Sequence, residues 1–208
     1  MAKTDIWPTV GTERETLAAD LHSLSDDQWS TRSLCGDWTV RDVLAHMTAV
    51  AQISLPGLLP KLISSGFNVN RLQAKDIERF SGRTPSDTLA EFQSIVGARK
   101  SPPGPADTVL GETILHAEDI RRPLSIAHQY PPEALVELAD FYKGSNLVLG
   151  AKRRIAGVHL RATDTSWAHG SGSEVAGPML SILMVMTGRM AALDDLEGDG
   201  VETLRSRS

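Results

Sequence analysis

A chain of 208 residues is long enough to bury a sizeable core, either as one domain or as a helical bundle with a small appended domain. Its formal net charge of −5 argues against a nucleic-acid-binding surface, which would carry clustered excess Lys and Arg. The single cysteine, Cys35, excludes an intrachain disulfide and a cysteine-rich zinc site, so any bound metal must be held by His and carboxylate.

Met1-Ala2-Lys3-Thr4-Asp5 is followed by no apolar core of the kind a secretory signal needs, and a cytoplasmic protein is expected. Ile6, Val10, Leu17, Leu21 and Leu24 recur at helical intervals and predict a helix over about 5–24, with Glu13 and Glu15 on or near its outer face. Ser25-Asp26-Asp27 breaks the pattern, and Trp29 to Asp37 reads as a loop. Thr39 and Asp42 have the spacing of a capping box, with Asp in the place of the usual Glu, and open a second helix over about 39–55. Its apolar stripe is Val40, Val43, Leu44, Met47, Val50 and Ala51, and His46 lies at the edge of that stripe. Pro56-Gly57 and Pro60 end it.

Phe67, Val69, Leu72, Ile77 and Phe80 suggest shorter helical pieces. Thr84 as cap, Pro85 at the first helical position and Asp87 three residues after the cap then start a helix over about 85–100, which Ser101-Pro102-Pro103-Gly104-Pro105 stops. A helix over about 108–122 follows, capped by Asp107 or Thr108 and ended by Pro123. At about 100° per residue, Glu112, His116 and Asp119 share one narrow sector flanked by Val109 and Leu115. Pro131-Pro132 opens a further helix with Leu135, Leu138, Tyr142 and Leu147 inward.

Beyond Gly150, Val158, Leu160 and Ala162 alternate with His159, Arg161 and Thr163 as in a strand, with a return strand expected from about Ser166 to His169. Asp164 and Trp167 read as turn and packing residues, and His159 and His169 as strand and loop residues. The apolar run from Met179 is too short to span a bilayer and predicts a buried helix. Lys152-Arg153-Arg154 reads as a solvated face. No membrane association is expected.

The chain is therefore mainly α: a four-helix bundle over residues 1–124 and a small α+β region over 125–208. Bundles build metal sites from inward-facing residues of facing helices. His46 from the second helix, with Glu112 and His116 four residues apart on the fourth, makes a two-His, one-carboxylate set. Three protein ligands leave a position open for water or substrate, the catalytic arrangement for zinc, although the same donors suit iron or nickel. Asp42 and Asp119, each about one turn from one of these histidines, can orient an imidazole from behind. Cys35 reads as a small packing residue beside Trp38, and Arg161 can hold a substrate carboxylate bidentately.

Two stretches carry a resemblance: Cys35-Gly36-Asp37-Trp38-Thr39-Val40-Arg41-Asp42-Val43-Leu44-Ala45-His46, and Glu112-Thr113-Ile114-Leu115-His116-Ala117-Glu118-Asp119. They resemble the mycothiol-dependent maleylpyruvate isomerase family, within the DinB-like superfamily of metal-binding helical bundles. The tail from Ala162 to Trp167, Gly170-Ser171-Gly172, and Val175 through Gly188-Arg189 is similar to that family's C-terminal extension. The resemblance implies a DinB-like bundle, zinc held by His46, Glu112 and His116, and the thiol mycothiol as cosubstrate in an actinobacterial setting. It also implies a reaction in which the thiol adds to a small electrophilic substrate, giving isomerisation or thiol transfer. From about residue 125 the chain is shorter than the isomerase itself, which leaves the substrate open.

Two other readings compete. One is a hydrolase with water in the open position; the other is a non-enzymatic binding or stress-response module. A monomer or homodimer fits all three.

Overall fold

The computed structural model describes residues 5–53, 63, 65, 66, 68–100, 104–146 and 149–207. Pro56-Gly57, Pro60, Phe67, the first three residues of the 101–105 loop and Leu147 lie outside them. The chain divides into two compact units, Met1–His128 and Gln129–Ser208.

In the first unit, α1 (Trp7–Leu21) starts with Pro8 in its first turn, where a missing N–H costs nothing. Val10, Leu17 and Leu21 are fully buried, as the periodicity requires. Glu13 departs from the expectation: it is buried rather than outward, and its Oε2 lies 2.7 Å from His128 Nε2. The segment after Ser25 is not all loop, because Ser25 and Gln28 close a capping box around the short helix α2 (Asp26–Trp29), which turns Trp29 into the core.

Helix α3 (Val40–Ala51) begins where Thr39 and Asp42 cap each other reciprocally. Asp42 Oδ2 accepts the Thr39 amide at 2.9 Å, and Thr39 Oγ1 accepts the Asp42 amide at 3.2 Å. Residues 69–80 form one helix, α4 (Val69–Phe80), capped by Asn68. Thr84 and Asp87 close a third box at the start of α5 (Pro85–Ser94).

α5 ends at Ser94, short of the expected 100. The buried Arg14 of α1 donates from Nη1 to Ile95 O at 3.2 Å and to Ala98 O at 3.1 Å, supplying the donors that carbonyls beyond a helix C-terminus lack. Burial brings the Arg14 pKa down to about 10.

Helix α6 runs Asp107–Arg121. α3 packs against α4, α5 and α6, while α1 packs against α5 and α6, so α1, α3, α5 and α6 are the four helices of the bundle. Its interior includes Leu17, Leu21, Val43, Leu44, Phe92, Ala117 and Ile120, all fully buried. Arg121 is fully buried as well, held by Asp20 of α1 at 2.7 Å.

In the second unit, α7 (Pro132–Lys143) and a short α8 (Ala151–Arg154) precede three strands: β1 (Val158–Ala162), β2 (Ala168–Gly170) and β3 (Ser173–Gly177). The order is β2-β1-β3, with β2 antiparallel to β1 and β3 parallel to it. β3, which period-two reading did not anticipate, becomes possible because Gly172 brings the chain back beside β1 at φ +124°, where an added Cβ would collide with the Gly157 carbonyl.

Helix α9 (Met179–Met186) has Met179, Leu183, Met184 and Met186 fully buried and packs on α7 and the sheet. Asp164 Oδ1 accepts the Met179 amide at 2.8 Å, so this turn residue also satisfies an orphan donor at the start of α9. Trp167 Nε1 donates to Asp140 at 2.9 Å. A 3₁₀ turn (Met190–Asp195) and α10 (Val201–Arg205) close the unit. No helix among the described residues is long and apolar enough to cross a membrane.

Candidate metal centre

Packing of α3 on α6 brings His46, Glu112 and His116 together. One donor atom from each lies within 4.8 Å of the other two. Glu112 Oε2 is 3.2 Å from His116 Nε2 and 3.5 Å from His46 Nε2. Two donors bound at about 2.1 Å to one tetrahedral ion stand about 3.4 Å apart. The two observed spacings are close to that value.

The surroundings fix the rings. His46 and His116 are both buried, and they meet edge to face with centroids 5.0 Å apart. Trp38 lies tilted over His46 at 4.9 Å. Asp119, wholly buried, accepts from His116 Nδ1 at 2.9 Å and so leaves Nε2 to face Glu112 and His46. The main chain of Asp119 is committed too, because its carbonyl accepts the Leu34 amide at 3.0 Å. That bond ties the 30–38 loop to α6 and holds the Cys35 thiol within 4.8 Å of a His116 ring nitrogen.

Glu112 Oε2 is the telling atom. It is buried and receives no aligned hydrogen bond, although two imidazole nitrogens lie close by. A buried carboxylate oxygen in this setting is balanced by positive charge, carried either by an imidazolium or by a cation held between the three side chains. Burial works against the charged forms. The His116 and His46 rings nevertheless hold the Glu112 carboxyl well below the usual carboxylate range. Burial likewise opposes charge on His116, but Glu112, Asp119 and Cys35 raise its pKa well above that of an ordinary histidine. The residues present therefore fit a divalent ion with nitrogen and oxygen donors.

The other sequence candidates fall elsewhere. Asp42 does not stand behind His46, since both partners of its Oδ2 belong to the Thr39 cap. Arg161, the exposed residue of β1, is already engaged by Glu174 at 2.9 and 3.2 Å. His159 Nδ1 meets Gly170 O at 3.1 Å, and His169 lies against Trp167. Cys35 packs beside Trp38 as expected, but it also touches the site, and with His116 and Asp119 it makes a second group of possible ligands.

Arg14 and Lys100 are residues that sequence reasoning missed. They line a narrow crevice that also includes Glu112, Met47, Val50, Val109 and Thr113. A signal for Arg14 was present, because it stands four residues after Val10 and three before Leu17, on the buried stripe.

Asp119→Asn is expected to weaken affinity for the divalent ion about 10- to 100-fold while the fold persists, because it removes the carboxylate behind His116. Competition with a chromogenic chelator, with circular dichroism alongside, measures both.

Comparison with known proteins accords with this architecture. Residues 10–102 match the family described as the mycothiol maleylpyruvate isomerase N-terminal domain. Among solved structures, the chain is similar to the crystal structure of the mycothiol-dependent maleylpyruvate isomerase, with a TM-score of 0.60 and 13% identity over 93% of this chain and 91% of that one. It is equally similar to a histidine-to-alanine mutant of that isomerase, with a TM-score of 0.61 and 15% identity over the same shares. No curated protein matches. The chain thus has the fold of the mycothiol-dependent maleylpyruvate isomerase, and its segment 10–102 is similar to the mycothiol maleylpyruvate isomerase N-terminal domain family.

Proposed function

We propose that the protein is a metal-dependent enzyme that uses a low-molecular-weight thiol, mycothiol, for isomerisation of, or thiol transfer to, a small electrophilic substrate. The observation that carries the reading is the buried, unbonded Glu112 Oε2 between His46 Nε2 and His116 Nε2. The match of residues 10–102 to the mycothiol maleylpyruvate isomerase N-terminal domain supports the thiol as cosubstrate.

His46, Glu112 and His116 would hold the ion, with zinc the metal that the donor set suits best. When bound, such an ion lowers the pKa of a coordinated thiol and supplies a nucleophile. The chain's own residues do the rest. Asp119 keeps His116 in the tautomer that presents Nε2, and Trp38 packs over His46 and holds its ring in place. Glu112 keeps Oε2 inward while its side chain stays 37% exposed, so the site reaches solvent on that side.

Arg14 and Lys100 lend the adjoining crevice a positive character. Its free space is about 10 Å³, room for one water, so a substrate sits across the mouth, where Lys100 is exposed. An electrophile carrying a carboxylate suits those cations.

The test is turnover of small unsaturated carboxylates by tag-free protein, with and without mycothiol. Activity is expected only with the thiol. Equal rates without it would replace this reading by a hydrolase that activates water. In the same assay Lys100→Ala is expected to raise KM about tenfold, the loss of one charge-assisted hydrogen bond, with kcat little changed.

A further inference from the structure

The basic run Lys152-Arg153-Arg154 is more than a solvated face. Within the C-terminal unit, Arg153 and Arg154 of α8 meet Arg207, from beyond the end of α10, around a half-open cavity of about 450 Å³ that Gly150 completes. That volume is in the range of small-molecule sites.

Three other cations in this unit are neutralised: Arg161 pairs with Glu174, Lys143 with Asp140, and Arg205 with Glu202 and Asp194. Among the described residues, Arg153, Arg154 and Arg207 have no such carboxylate. The chain holds the cluster together with neutral acceptors instead. Arg154 Nη1 donates to Leu149 O at 2.9 Å and Met186 O at 2.8 Å. Arg207 Nη1 donates to Arg154 O at 2.8 Å and Ala156 O at 2.5 Å. Arg154 Nε is buried with no acceptor.

Three guanidinium groups gathered around one cavity repel one another, and carbonyl oxygens do not cancel that charge. Burial, with Arg153 and Arg189 nearby, accordingly lowers the Arg154 pKa. The forked donors of arginine match the oxygens of a phosphoryl group, whose double charge answers a cluster of this size better than a single carboxylate would.

We infer that the cavity bounded by Arg153, Arg154 and Arg207 is a binding site for the phosphoryl group of a small phosphorylated molecule. The site is independent of the metal centre and of the thiol chemistry proposed for it.

Isothermal titration of the full chain with pyrophosphate, at ionic strength held constant with chloride, tests this. Saturable binding is expected, with inorganic phosphate weaker. Arg153 is exposed and its side chain has no hydrogen-bond partner among the described residues, so Arg153→Gln should fold normally and lower the affinity about tenfold. Arg153→Glu should abolish binding, and Arg207→Gln serves as the second variant. Absence of saturable binding, or binding unchanged in all three variants, would overturn the inference. Sedimentation with phosphatidylcholine vesicles containing phosphatidic acid separates the sources. Vesicle binding that pyrophosphate displaces supports a phosphoryl site that also accepts a lipid headgroup. Vesicle binding without pyrophosphate binding overturns the inference in favour of a general surface attraction.

Discussion

Protein carrying His116→Ala is expected to retain less than about a tenth of the divalent metal held by the parent after gel filtration, and thiol-dependent turnover should fall with it. Mass spectrometry of tag-free protein provides the metal count. The size of the effect follows from the proposed site, in which His116 would supply one of three donors and its ring is the one that Asp119 orients. His46→Ala should behave alike. Cys35→Ala is the control that gives the experiment its force. Cys35, His116 and Asp119 form the competing group of possible ligands, so loss of metal in Cys35→Ala with retention in His46→Ala would move the ion to the other side of the His116 ring. Retention in Cys35→Ala with loss in His46→Ala keeps it where Glu112 Oε2 points.

The second large effect is on stability. Asp20→Ala is expected to lower the unfolding free energy by about 3 kcal/mol, read from urea denaturation, because it takes the Asp20 carboxylate from a fully buried guanidinium. Replacing both partners together, as in Asp20→Leu with Arg121→Met, should recover most of that loss. An apolar pair of similar volume carries no uncompensated charge. If the double variant were as unstable as the single one, the stabilisation would lie in packing by the arginine stem instead of in charge pairing.

These two residues also show where a linear reading stops. The bundle helices α1, α3, α5 and α6 were legible because each has an apolar stripe, and α3 and α5 have start signals that the structure realises: the boxes at Thr39–Asp42 and Thr84–Asp87 are local and need no tertiary information. Glu13, Arg14 and Arg121 were not legible as interior residues. Each lies on or beside a buried stripe, but whether a charge can be buried depends on a partner distant in sequence: His128 for Glu13, the Ile95 and Ala98 carbonyls for Arg14, Asp20 for Arg121. The same limit applied at the candidate site. Spacing made Asp42 and Asp119 equivalent, each about a turn from a histidine, and only the capping bonds of Thr39 show that Asp42 is spent elsewhere. β3 was missed for another reason: a strand parallel to β1 carries no hairpin signal, and its burial rises toward one end instead of alternating.

His46 and the Glu112–His116 pair belong to helices far apart along the chain, whereas Glu112 and His116 are one turn apart on the same helix. An extended chain can therefore offer an ion only the pair; the triad exists only once α3 lies on α6. Any ion that requires all three donors then reports on that docking, and its affinity becomes part of the cohesion of the bundle. Such an ion would act as a clasp between two helices as well as a reagent. Its withdrawal should lower the melting temperature of the N-terminal unit in proportion to the logarithm of the free metal concentration.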